Sequence, residues 1–97
     1  MPTYISLMKL TDQGIKDIKN VPQRLEDNKK AIEAAGGKLI GFYSVMGEYD
    51  YVAITEGPSD EMVMTFLLGY GAQGNTRTVT LKAFTQQEFV EMVKKLP

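Results

Sequence analysis

The chain has 97 residues, 11 Lys and Arg against 12 Asp and Glu, a net charge of −1, and no His, Cys or Trp. Those zeros exclude disulfides, thiolate nucleophiles, His-based triads and zinc sites built from His or Cys. The charge balance argues against a nucleic-acid partner, which normally meets a basic stripe, and the length points to one domain over residues 1–97.

Hydrophobic residues at 43% and charged ones at 24% make an ordinary globular mix rather than a disordered one. No apolar run approaches the roughly 18 residues that cross a bilayer. The start, Met1 to Lys9, lacks the basic region of a signal peptide. The expectation is a cytoplasmic protein with no membrane partner.

Thr3 to Leu10 alternates, with Ile5 and Leu7 on one face and Tyr4, Ser6 and Met8 on the other, the period of a strand. Thr11-Asp12-Gln13-Gly14 reads as a turn, and Ile15 to Asn20 is either a short helical turn or a loop. Pro22 suits a helix's first turn. From Val21 the apolar positions Leu25, Ile32 and Ala35 oppose Arg24, Glu26, Asp27, Lys29, Lys30 and Glu33, which predicts an amphipathic helix stopped by Gly36-Gly37.

Lys38 to Met46 and Tyr49 to Glu56 are strand-like, and Gly47-Glu48 between them suits a two-residue hairpin turn. That turn sets Met46 opposite Tyr49, Ser44 opposite Tyr51, Tyr43 opposite Val52, Phe42 opposite Ala53 and Gly41 opposite Ile54. Gly57-Pro58-Ser59-Asp60 opens a second helix carrying Met62, Val63, Phe66, Leu67 and Tyr70, with Gly69, Gly71 and Gly74 closing it. Asn75 to Phe84 is a last strand, with Val79, Leu81 and Ala83 on one face and Thr76, Thr78, Thr80 and Lys82 on the other. Thr85 and Glu88 form a capping box for a terminal helix bearing Phe89, Met92, Val93 and Leu96. The order βαββαβ plus a C-terminal helix is the α+β, ferredoxin-like arrangement around a four-stranded antiparallel sheet.

In that arrangement both helices cover one sheet face, and the Ile5, Leu7, Val52, Ile54, Val79, Leu81 side is the expected one. The other face then collects Tyr4, Ser6, Met8, Phe42, Ser44, Tyr49, Tyr51, Thr78 and Thr80. Such a mixed aromatic and hydroxyl patch suggests an interface or ligand groove. The expectation is a homodimer or higher assembly that pairs these faces around a cleft. A small apolar or aromatic ligand there would be bound by Tyr4, Ser6, Phe42, Ser44, Tyr51, Thr78 and Thr80.

Tyr49 and Asp50 are weak catalytic candidates, since a tyrosine hydroxyl beside a carboxylate can exchange a proton with a bound carbonyl or phenol. Both also have ordinary hairpin uses, and those uses are the commoner ones. Arg77 and Lys82 lie on opposite strand faces, and Glu48, Asp50 and Glu56 are spread along a strand, so neither an anion site nor a metal site is expected. No cofactor is indicated. The glycines from Gly69 to Gly74 follow a helix instead of preceding one, unlike a phosphate-binding loop.

Gly47-Glu48-Tyr49-Asp50 resembles the motif of the GYD family. Thr11-Asp12-Gln13-Gly14, Gly36-Gly37-Lys38, Glu56-Gly57-Pro58, Gly74-Asn75 and Phe84-Thr85 stand where that family has similar pieces, so the resemblance covers most of the chain. It implies a dimeric α/β-barrel and adds little about a reaction. Three functions remain open: binding of a small molecule by a homo-oligomer, a cofactor-independent oxygenase or isomerase relying on Tyr49, Tyr51 and Asp50, and a purely structural assembly module.

Overall fold

A computed structural model describes all 97 residues. Its elements are β1 (Thr3–Leu10), α1 (Asp12–Lys16), α2 (Val21–Ala34), β2 (Lys38–Ser44), β3 (Tyr51–Glu56), α3 (Asp60–Ala72), β4 (Thr76–Ala83) and α4 (Gln86–Lys94), with a 3-10 turn at Ile18–Asn20 before α2. The four strands form one sheet in the order β2-β3-β1-β4. Every neighbouring pair is antiparallel. The ferredoxin-like order predicted from the alternating pattern is therefore the one observed.

Local chemistry explains the element ends. Ala35 caps α2, Gly36 takes φ +87°, and Gly37 N–H reaches back to the Ile32 carbonyl at 2.9 Å, closing the helix in a left-handed exit that glycine adopts without strain. Ser59 caps α3 by accepting from Met62 N–H at 3.2 Å. At α4, Thr85 Oγ1 accepts from Glu88 N–H at 3.1 Å while Glu88 accepts from Thr85 N–H at 2.8 Å, so the expected capping box is complete.

The β2–β3 register matches expectation at Gly41, Phe42, Tyr43 and Ser44, which oppose Ile54, Ala53, Val52 and Tyr51. The strands, however, stop sooner than predicted. Val45 N–H bonds the Asp50 carbonyl at 2.9 Å, and Met46 to Tyr49 lie beyond the ladder. A bulge between Leu39 and Gly41 inserts Ile40. It lets Leu39 and Phe42, three residues apart, share one face and pack on the same core.

Two expectations need correction. Thr11 to Gly14 is not a turn but the capped start of α1, with Thr11 Oγ1 accepting from Gly14 N–H at 3.0 Å. The same hydroxyl donates to the Gly74 carbonyl at 2.6 Å, and Thr11 N–H donates to the Asn75 carbonyl at 3.0 Å. Those bonds fasten α1 to the loop before β4, a partner 63 residues away that no local pattern announces.

The second correction concerns the sheet faces. Their alternation is as predicted, but the helices cover the opposite side. Tyr4, Ser6, Met8, Tyr51, Ala53 and Thr76 are buried, whereas Val79 and Leu81 are 48% and 49% exposed. Both faces carry apolar residues, so hydrophobicity alone does not choose between them. The handedness of the strand–helix–strand crossovers does. Several hydroxyls on the covered face bond within the chain: Ser6 and Thr80 share a bond of 2.9 Å, and Thr76 Oγ1 pairs with Tyr70 at 3.3 Å. No buried side-chain polar atom lacks a partner.

Gly14 comes so close to β4's entry that an added Cβ would lie 2.0 Å from the Asn75 carbonyl oxygen. Gly14→Ala should therefore cost about 1–3 kcal/mol, the range for overpacking against a backbone that cannot withdraw. Chemical denaturation of the two proteins measures it, and an unchanged midpoint would remove this lock from the account.

Candidate functional site

α2 and α3 both lie on the covered face, where Val21 of α2 and Tyr70 of α3 pack on the Met8, Tyr51 and Ala53 core of the two central strands. An open cleft of about 190 Å³, lined by both helices, lies above the sheet. Ser6, Met8 and Ala53 form its floor. Leu25 and Ile32 line it from α2, and Val63 and Phe66 from α3. Glu26, Lys29 and Glu56 are its charged lining residues.

Three of the predicted binding residues, Ser6, Phe42 and Thr78, line this cleft. The other four do not. Tyr4 is buried with its hydroxyl donating to Asp60, and Tyr51 lies beneath Phe42 with ring centroids 5.1 Å apart. Thr80 is engaged by Ser6, and Ser44 is exposed at the end of β2. All seven share one sheet face, as expected, but it is the face under the helices. The α2 and α3 residues of the cleft carry the apolar spacing of core positions. That spacing is visible in the sequence, while the gap between the helices is not.

Tyr49 and Asp50 sit at the far end of β1 instead of in the cleft. Asp50 Oδ2 accepts the Leu10 N–H at 2.8 Å, and Asp50 N–H donates to the Met8 carbonyl at 2.8 Å. Lys9 Nζ stands 5.4 Å from the Tyr49 ring centre and 3.6 Å from Glu48. The hairpin thus grips β1 through backbone bonds, a cation–π contact and an ion pair. Glu48 and Asp50 are committed there, Glu56 lies at the other end of β3, and no group of three metal-ligating side chains converges.

A second polar cluster forms at the opposite end of β1, where Tyr4, Asp60 and Lys82 meet. Lys82 Nζ lies 3.2 Å from Asp60. The hydrogen bond to Asp60, followed by burial and the carboxylate charge, pushes the Tyr4 hydroxyl up to about 12. The bonds from Tyr4 and Lys82 hold Asp60 below the ordinary carboxylate value. Burial, then the Asp50 charge, raises Tyr51. These shifts stabilise the protonated phenols and the ionised aspartate, so the cluster serves structure and offers no base poised near neutrality.

The sequence profile of the GYD domain matches residues 4–93. The chain belongs to the GYD domain family. Its GYD hairpin is the Gly47–Asp50 grip on β1. Over 95 residues the chain is 30% identical to a Thermus thermophilus protein named "Glutamine synthetase and cystathionine beta-lyase binding protein", covering 97% of this chain and all of that one. The crystal structure of a protein from Thermus thermophilus matches with a TM-score of 0.54 at 25% identity, covering 88% of this chain and 95% of the other. A hypothetical protein from Pyrococcus horikoshii matches in fold with a TM-score of 0.55 at 18% identity, covering 89% and 93%. No helix of this GYD chain is long and apolar enough to cross a membrane.

The Tyr4–Asp60 bond predicts a two-sided pH dependence. Tyr4 holds its proton more tightly when folded, so its contribution is complete below 10 and disappears as pH rises through about 12. Asp60 holds its proton less tightly when folded, so its contribution is present above the ordinary 3.8 and is lost as pH falls through its lower folded value. Melting temperatures of wild type and Tyr4→Phe across this range should differ by a plateau that closes at both ends. A difference that is flat throughout contradicts the assignment.

Proposed function

We propose that this chain is a small binding domain that pairs with a second copy through its bare sheet face and holds a small apolar or aromatic molecule in the cleft between α2 and α3. The cleft carries this reading: an apolar trough with a few hydroxyls in its floor has the composition of a small-molecule site. It replaces the groove between paired sheets expected from the sequence. The bare face, with Ile5, Leu7, Val52, Ile54, Val79 and Leu81, is aliphatic and suits closure against its own copy. Binding is favoured over an oxygenase or isomerase because Tyr49 and Asp50 are both engaged on β1, outside the cleft. A cytoplasmic setting fits a chain without cysteine.

Native mass spectrometry of protein purified from its own host tests both halves, with a dimer carrying a co-purified small molecule as the expected result. N-phenyl-naphthylamine fluorescence gives a second readout. Ala53→Leu fills the floor and should weaken dye binding roughly ten-fold, about 1.4 kcal/mol, with the fold intact. Equal dye binding by both proteins would remove the cleft as the site.

A second reading, recognition of a metabolic enzyme, is favoured by the full-length similarity to the Thermus protein named for binding glutamine synthetase and cystathionine beta-lyase. Sedimentation of this chain mixed with each purified enzyme from its own host should show co-migration. Independent boundaries at micromolar concentrations would eliminate those two partners.

A further inference from the structure

The C-terminal helix presents an amphipathic surface that nothing in its own chain uses. No other element packs substantially on α4, and every residue from Phe84 to Pro97 is exposed. Phe89, Met92, Val93 and Leu96 recur at helical spacing on one side, with Phe89 60% and Leu96 69% exposed. Glu88, Glu91, Lys94 and Lys95 occupy the other side.

α4 is nonetheless specified as a helix, by a complete capping box and a lysine in its last turn. At 9 residues it is shorter than the ~12–15 that persist alone in water. It therefore needs a surface to pack on. Its charged side carries two acids and two bases, unlike the basic face that draws an amphipathic helix to anionic lipid. The missing surface is that of a protein.

We infer that α4 is an exchanged arm whose apolar stripe packs on a second copy of this chain. The inference rests on the pairing proposed above and deepens it. Val79 and Leu81 on the bare sheet face are 48% and 49% exposed, while Phe84, Phe89 and Leu96 beyond them are 55%, 60% and 69% exposed, so the arm holds a large share of the chain's open apolar surface. Homodimer interfaces are more apolar than the rest of a protein surface. A pair closed on the sheet face alone would leave the arm's apolar side chains in water, whereas one that also seats the arm covers both. The arm leaves β4 directly after Val79 and Leu81, so the two apolar surfaces follow one another along the chain.

The absence of tryptophan allows a clean probe. In full-length Phe89→Trp, emission should shift to the blue as concentration rises through the association midpoint, and Leu81→Lys in the same protein should abolish the shift. Sedimentation of full-length Val93→Glu should show at least a ten-fold weaker dimer. A blue-shifted emission that survives in the Leu81→Lys protein would mean that α4 packs on its own chain, and a red emission throughout would mean that it stays in water; either overturns the arm. If Leu81→Lys dissociates the dimer while Val93→Glu leaves it within two-fold, the pairing stands and the arm fails. If the unmodified chain sediments as a monomer at every concentration, the pairing itself fails and the arm with it.

Discussion

Strand β1 is held at both ends by carboxylates that arrive from other parts of the chain. Asp50 accepts the Leu10 N–H at one end, and Asp60 accepts the Tyr4 hydroxyl at the other. Between them β1 pairs with β3 on one side and β4 on the other, so both halves of the sheet are built on it. Asp50 introduces β3 and Asp60 begins α3, so each bond also sets where the next element starts. A side chain lost from either end would leave a charged or polar group without its partner, which costs more than the bond itself contributes.

The two faces of that sheet divide the chemistry. The covered face carries the aromatic rings and hydroxyls, and it tolerates them because no buried side-chain polar atom is left without a partner. The bare face carries aliphatic side chains that would ordinarily be core. Two helices cover only one side of the sheet, and the proposed pairing with a second copy would cover the other. The cleft is a consequence of where α2 and α3 rest. Between them they leave a gap above the small residues Ser6 and Ala53, which form its floor.

Much of this architecture is legible in residues that act locally. The capping box at Thr85 and Glu88, the stop at Gly36-Gly37 and the hairpin register at Phe42 and Ala53 each depend on neighbours a few positions away. What is not legible depends on distance in the sequence. Thr11 and Gly14 look like a turn until Gly74 and Asn75 are placed beside them, and Asp50 looks like a hairpin cap until β1 is laid alongside. The face covered by the helices follows from crossover handedness, which leaves no trace in an alternating pattern where both sides are apolar. The cleft is hidden for a related reason, since Leu25, Ile32, Val63 and Phe66 have the same spacing whether their helices touch or stand apart.

The place of β1 in the sheet also shapes how the molecule is made. It is the first strand in the sequence, yet Thr3 pairs with Ala83 at the end of β4. A ribosome therefore releases the central strand long before one of its two neighbours exists. Until β4 emerges, one edge of β1 has unpaired backbone groups, the condition under which nascent chains associate wrongly. Closing so distant a pairing is slow because the loop entropy must be met before the contact forms. In a chain built this way, the last strand translated completes the strand translated first.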